Sequence, residues 1–96
     1  VIAHAEAFDD AFGVSYHRLG IVLASTGSAV DIEGVLNPAA ARDREGNLLL
    51  YPRMVAAGNV SRIGLVRAVE TRSATTFGAP EVLLRPEAEY ERRTVP

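Results

Sequence analysis

The chain has 96 residues, 48% of them hydrophobic and 6% aromatic, with 12 acidic against 10 basic side chains and no cysteine or tryptophan. This near-neutral balance excludes a basic nucleic-acid-binding domain, and no apolar run approaches the roughly 20 residues a membrane-spanning helix needs. Zero cysteines exclude disulfide staples, thiolate metal sites and cysteine nucleophiles.

Val1 to Phe12 places Ile2, Ala5, Phe8 and Phe12 at helical spacing, which predicts a short amphipathic helix; a loose N-terminal extension over residues 1–15 is the alternative, because no N-cap is evident. Tyr16 to Ser25 reads as a strand ending at the turn Thr26-Gly27-Ser28. Val30 to Leu36 alternates apolar with acidic residues and is expected to stop at Asn37-Pro38, since proline lacks the N–H. Asp43 to Asn47 is a hairpin-turn signal, and Leu48 to Tyr51 follows as a strand apolar on both faces and hence expected to be buried on both. Pro52 to Asn59 leaves that strand and turns at Gly58-Asn59; Ser61 to Val69 is the next strand, Thr71 to Gly78 a polar connection, and Pro80 to Leu84 a last short strand before an irregular charged end. About five short strands without βαβ alternation predict an all-β fold of the sandwich, barrel or propeller kind.

Most candidate chemistry along the chain has an ordinary explanation. His4 and His17 match no metal-ligand spacing, so no metal site is expected, and Asp9-Asp10 reads as a solvated pair rather than an acid/base couple. Ser25 to Ser28 lacks the glycines and lysine of a phosphate loop. Asn59-Val60-Ser61 fits a glycosylation pattern but reads better as turn and strand start. All basic residues are arginine, which is most simply a codon preference, although a planar guanidinium is also suited to clamping oxyanions and sugar hydroxyls. The distinctive constellation is Asn37-Pro38, Arg53 and Ser61-Arg62: polar groups expected at strand ends, where they could converge on a polyhydroxylated or anionic ligand.

Three segments in order carry a resemblance: Glu33-Gly34-Val35-Leu36-Asn37-Pro38-Ala39-Ala40, then Gly46-Asn47-Leu48-Leu49-Leu50-Tyr51-Pro52-Arg53, then Gly58-Asn59-Val60-Ser61-Arg62-Ile63-Gly64-Leu65. Together they resemble the N-terminal part of glycoside hydrolase family 130, the β-mannoside phosphorylases and related mannosidases, over about Arg18 to Glu91. The resemblance implies residues 16–96 as roughly two N-terminal blades of a five-bladed β-propeller, truncated before the family's general acid, which is expected beyond Pro96 in a Glu-Asp-Pro-Arg motif. It implies that Asn37, Arg53, Arg62 and Ser61 bind the sugar at the cleavage subsite, with no catalytic residue within the chain. In the intact protein it implies inverting phosphorolysis or hydrolysis of a β-mannoside-type glycoside. The 96 residues alone would be inactive.

No cofactor is implied, with inorganic phosphate a co-substrate in the phosphorylase case. The expected partner is an oligosaccharide or glycoside, with neither nucleic acid nor membrane; the expected location is cytoplasmic, and a homo-oligomer of the intact enzyme is left open. Two rivals stand beside this reading: a self-contained small all-β domain that binds a ligand or partner without catalysis, and a different propeller glycosidase with carboxylates at the pocket centre.

Overall fold

The computed structural model describes residues 2–3, 6–9 and 13–92, and its regular structure is almost entirely antiparallel β-sheet. Its strands are β1 (Ile2–Ala3), β2 (Glu6–Asp9), β3 (Ser15–Arg18), β4 (Gly34–Arg42), β5 (Leu48–Ala56), β6 (Val60–Glu70), β7 (Thr75–Phe77) and β8 (Glu81–Leu84), with a 3₁₀ turn at Glu89–Arg92. The main sheet runs β1-β7-β6-β5-β4, and β8 pairs beside β7 along the same edge of β6. A second, two-stranded sheet pairs β2 with β3.

The helix expected near the N-terminus is not formed. The described parts of that segment are strands: Ile2 pairs with Thr76, and Glu6 stands opposite Arg18 in the β2–β3 ladder. A helix this short and without a cap is marginal by itself, so available strand partners decide the outcome. These pairings join residues on both sides of the boundary between residues 15 and 16. The strand expected over Tyr16 to Ser25 ends at Arg18, because Gly20 turns the chain with a φ of 83°. Beyond it, Leu19, Val22 and Leu23 lie across one face of the sheet without joining a ladder, while Ile21 points outward.

Prolines 38 and 52 do not end their strands. β4 runs through Asn37-Pro38 by means of a bulge: Leu36 pairs with Arg53 and Ala39 with Tyr51, so two residues of β4 stand against Pro52 alone. Asn37 takes a left-handed φ of 48°, which asparagine tolerates better than most residues with a Cβ. β4 is an edge strand, where a missing donor is least costly. Pro52 lies in the central strand β5, but opposite the bulge, where the β4 ladder is already interrupted.

Strand alternation separates two faces. Leu50, Pro52, Met54, Gly64, Val66 and Ala68 belong to one side, where Val66, Ala68 and Phe77 form the core cluster against Leu19, Val22, Leu23, Leu48 and Leu50. Phe77 is 4% exposed and comes from the segment expected to be only a polar connection. There Thr71 closes a tight turn with Ala74, and β7 follows. The opposite side carries Leu49, Tyr51, Arg53, Ser61 and Ile63, all half-buried, and the buried Val55. The expectation that Leu48 to Tyr51 would be buried on both faces fails: all four are half-buried, Leu48 and Leu50 packing against the core cluster and Leu49 and Tyr51 lying on the opposite side.

The accessible surface is 7096 Å². A compact protein of 10.3 kDa exposes roughly 5,400 Å². The radius of gyration, 15.9 Å, likewise exceeds the roughly 12.5 Å of a close-packed chain of this length. Open sheet contributes to the surplus: Leu83, Leu84 and Val69 are exposed, and the outer edges of β4 and β8 pair with no described strand.

Candidate functional site

A cleft of about 480 Å³ opens beside the β5–β6 hairpin, lined by Arg53, Asn59, Ser61, Arg62, Ile63 and Leu84, and closed by Arg85, Pro86, Tyr90 and Glu91. Its volume is in the range of small-molecule sites. Each wall has a local cause. The antiparallel register sets Arg53 opposite Ile63 and Val55 opposite Ser61, so Arg53 and Ser61 share a face as diagonal neighbours. The Arg53 Nε–H donates to Ser61 Oγ at 2.7 Å, and its Nη2 donates to Asn59 Oδ1 at 3.4 Å. These two contacts hold the guanidinium against the hairpin.

The turn that presents Asn59 is held from a distance in sequence. Asn59 adopts a φ of 60° after Gly58 at 78°, and the Glu33 carboxylate accepts from both backbone N–H groups, each at 3.1 Å. Glu33 is itself positioned by its own N–H, which donates to Val55 O at 2.9 Å. A bidentate carboxylate on two successive amides is a charge-assisted contact, so Glu33 tethers the turn, the turn presents Asn59, and Asn59 steadies Arg53.

The remaining wall depends on β8. Its register sets Leu84 opposite Ile63 and Val82 opposite Gly64, with an irregularity between. Gly64 permits the approach: a Cβ there would lie 2.7 Å from Met54 Sδ and 3.3 Å from both Glu81 O and Pro52 Cγ. Arg85 and Pro86 then lead to the 3₁₀ turn that brings Tyr90 and Glu91 to the cleft. Glu91 Oε2 accepts from the Glu87 N–H at 2.7 Å and the Ala88 N–H at 2.9 Å. These backbone bonds hold its carboxyl below the ordinary glutamate value, so it stays ionised at neutral pH and is unsuited to donate a proton.

Of the residues singled out in the sequence, Arg53, Ser61 and Arg62 line this cleft and Asn37 does not. Asn37 is exposed in the β4 bulge, next to Leu36, which pairs with Arg53. Neither arginine ends or opens its strand as expected: Arg53 lies inside β5 and Arg62 inside β6, near the hairpin turn rather than at a strand rim. By alternation Arg62 belongs to the Met54 side. Asn59, Arg85, Tyr90 and Glu91 escaped the sequence reading as cleft residues. The Gly58-Asn59 turn was a signal for the first, whereas no local pattern marks the others.

The Ser25 to Ser28 segment shows why it resembled an anion loop. Asp31, 1% exposed, supplies the anion: its carboxylate accepts from the Thr26 N–H at 3.0 Å, Thr26 Oγ1 at 2.9 Å and Ser28 Oγ at 3.2 Å. Burial pushes the Asp31 carboxyl up, but the hydrogen bonds from Thr26 and Ser28 together outweigh it and hold the pKa below 3.8. No group of three or more metal-ligating side chains occurs among the described residues; His4 and Asp10 lie outside them. No helix of the described chain is long and apolar enough to cross a membrane. No protein-family model, curated protein or solved structure matches the chain, so its chemistry is read from the cleft itself.

Proposed function

We propose that the chain supplies the sugar-binding surface of a carbohydrate-active enzyme of the family 130 type. In the intact protein it acts on a β-mannoside-type glycoside by inverting phosphorolysis or hydrolysis, and its sheet forms part of a five-bladed β-propeller. One observation carries the reading: a guanidinium held flat by Ser61 and Asn59 at the wall of a cleft. Such a group offers donors at fixed spacing, the neighbouring amide and hydroxyl offer both donors and acceptors, and adjacent sugar hydroxyls need that mixture.

Inversion requires an acid to protonate the leaving oxygen and a nucleophile on the opposite face of the ring. Arginine, serine and asparagine cannot supply that proton at neutral pH. Their part is to hold the ring and to strengthen hydrogen bonds as charge develops in the transition state. Glu91, the carboxylate in the cleft wall, is held ionised by backbone donors, so the acid comes from elsewhere in the intact enzyme. The exposed Leu83 and Leu84 and the outer edge of β8, which pairs with no described strand, favour a sheet that belongs to a larger assembly over a self-contained domain, which would cover such an edge.

Titration of the chain with methyl β-D-mannoside, followed by amide chemical shifts, tests the reading. Shifts concentrated at Asn59, Ser61 and Ile63, and abolished by Arg53→Ala, are expected. Unchanged binding in Arg53→Ala, or no response from these amides at all, overturns it.

A further inference from the structure

The cleft carries more positive charge than hydroxyl recognition requires. Arg53, Arg62 and Arg85 contribute to its walls against a single carboxylate, that of Glu91. Glu91 is already committed to the Glu87 and Ala88 amides. Glu33, the carboxylate behind the hairpin turn, is likewise taken up by the Gly58 and Asn59 amides. Arg53 spends its Nε–H and Nη2 on Ser61 and Asn59. Arg62 and Arg85 form no hydrogen bond or ion pair through their guanidinium groups with any described residue. Arg42 shows what a satisfied arginine looks like in this fold: it forks onto both oxygens of Glu70, at 2.6 and 3.2 Å.

Unsatisfied guanidinium forks lining a cleft are matched by a planar oxyanion with two oxygens, which a guanidinium binds through two parallel N–H donors. We infer, resting on the sugar-binding reading above, that the ligand of this cleft is an acidic sugar, a uronide. Its carboxylate is held by the Arg85 guanidinium, while its hydroxyls meet Arg53, Ser61 and Asn59; Arg62, which alternation sets on the Met54 side, adds positive charge at the cleft margin. The Tyr90 ring, 74% exposed at the cleft, offers a flat apolar surface to one side of the sugar ring. The division of labour follows from the hydrogen bonds: the arginine already pinned by neutral partners is oriented for neutral groups, and the unpinned arginines carry the uncompensated charge.

The test compares two probes that differ only at C6, methyl β-D-mannoside and methyl β-D-mannuronide, with acetate as a third. All are titrated into the full chain and followed by amide shifts at about 20 mM salt and again at about 200 mM, spanning the range over which screening grows strong. The uronide is expected to bind at least about tenfold more tightly than the mannoside at low salt, equivalent to about 1.4 kcal/mol, and to lose most of that advantage at high salt. Arg85→Gln is expected to bring the uronide-to-mannoside ratio toward one, and Arg62→Gln to lower it by a smaller factor. The salt comparison needs no variant, so it stands even if a substitution harms folding. A mannoside that binds as well as the uronide overturns the inference and leaves the sugar-binding reading intact. Acetate that binds as tightly as the uronide also overturns it, because the sugar is then not recognised. If neither glycoside shifts the cleft amides, the sugar-binding reading falls and takes this inference with it.

Discussion

Replacing Gly64 by alanine tests whether one missing methyl group sets the position of β8 and hence the far wall of the cleft. The added Cβ would lie 2.7 Å from Met54 Sδ and 3.3 Å from Pro52 Cγ and Glu81 O. The two longer contacts require shifts of a few tenths of an ångström. The shortest requires the thioether to move by about an ångström to reach the usual 3.5–4.0 Å separation. Met54 is 2% exposed and Pro52 is also buried, so neither has open space to retreat into. The Glu81 O contact is relieved by movement of β8, which is exposed along its whole length, whereas the Met54 contact requires the thioether to rotate within the core. Overpacking of this kind costs about 1–3 kcal/mol, which in a domain of this size lowers the melting temperature by roughly 5–20 °C. Thermal unfolding by circular dichroism measures the loss, and hydrogen exchange at Val82 and Leu84 shows whether it is concentrated in β8. Met54→Leu in the Gly64→Ala background should recover part of the loss, since coupled neighbours do not add. A Gly64→Ala protein as stable as the parent, with β8 amides equally protected, would refute the close-approach argument.

Phe77→Ala removes the largest member of the core cluster it forms with Val66 and Ala68. A loss of about 3–5 kcal/mol is expected by urea unfolding, enough to leave much of so small a domain unfolded in buffer. Asp31→Asn exchanges one acceptor oxygen for a donor among Ser25, Thr26 and Ser28, and should cost about 1–3 kcal/mol at neutral pH. Because the folded-state pKa of Asp31 lies below its unfolded value, its stabilisation is present above 3.8 and disappears as the pH falls through the folded value. Parent and Asp31→Asn proteins should therefore differ in urea midpoint near neutrality and converge in strong acid; a constant difference would remove the ionic role given to this side chain. Glu33→Gln can satisfy only one of the Gly58 and Asn59 amides as an acceptor. Their proton resonances should move upfield, and the Arg53 Nε–H should exchange with solvent several-fold faster; unchanged exchange would break the proposed link from Glu33 to Arg53.

What the sequence disclosed depended on how far each cause lay along the chain. The turn from Asp43 to Asn47 was legible because one side chain organises it: Asp43 accepts from the Glu45 and Asn47 amides and from the Asn47 side chain. The turn at Gly58-Asn59 was legible, but the Arg53–Ser61 contact eight residues apart was not, because it needs β5 to continue past Pro52, where the strand was expected to end. Pro38 and Pro52 misled for a physical reason. Each in isolation signals a break, but the bulge at one is the vacancy that accommodates the other, and only the register of β4 on β5 brings them together. Leu19 to Leu23 looked like a strand because an apolar run does not reveal whether it hydrogen-bonds to a neighbour or merely lies over one. Arg85, Tyr90 and Glu91 reach the cleft only after β8 has docked on β6, a contact that Gly64 permits and no local pattern announces.

The β4 bulge also governs how the molecule meets its own kind. A long, regular outer strand is a template on which another chain can zip, and β4, at nine residues, is long enough to be one. The left-handed step at Asn37 and the ring of Pro38 divide that template into two short, mutually misaligned stretches, Gly34 to Leu36 and Ala39 to Arg42. An incoming strand in register with one is out of register with the other, so runaway fibril growth along this side is frustrated even though no described strand covers the edge. A variant that straightened the strand, such as deletion of Pro38, would convert an inert margin into an adhesive one.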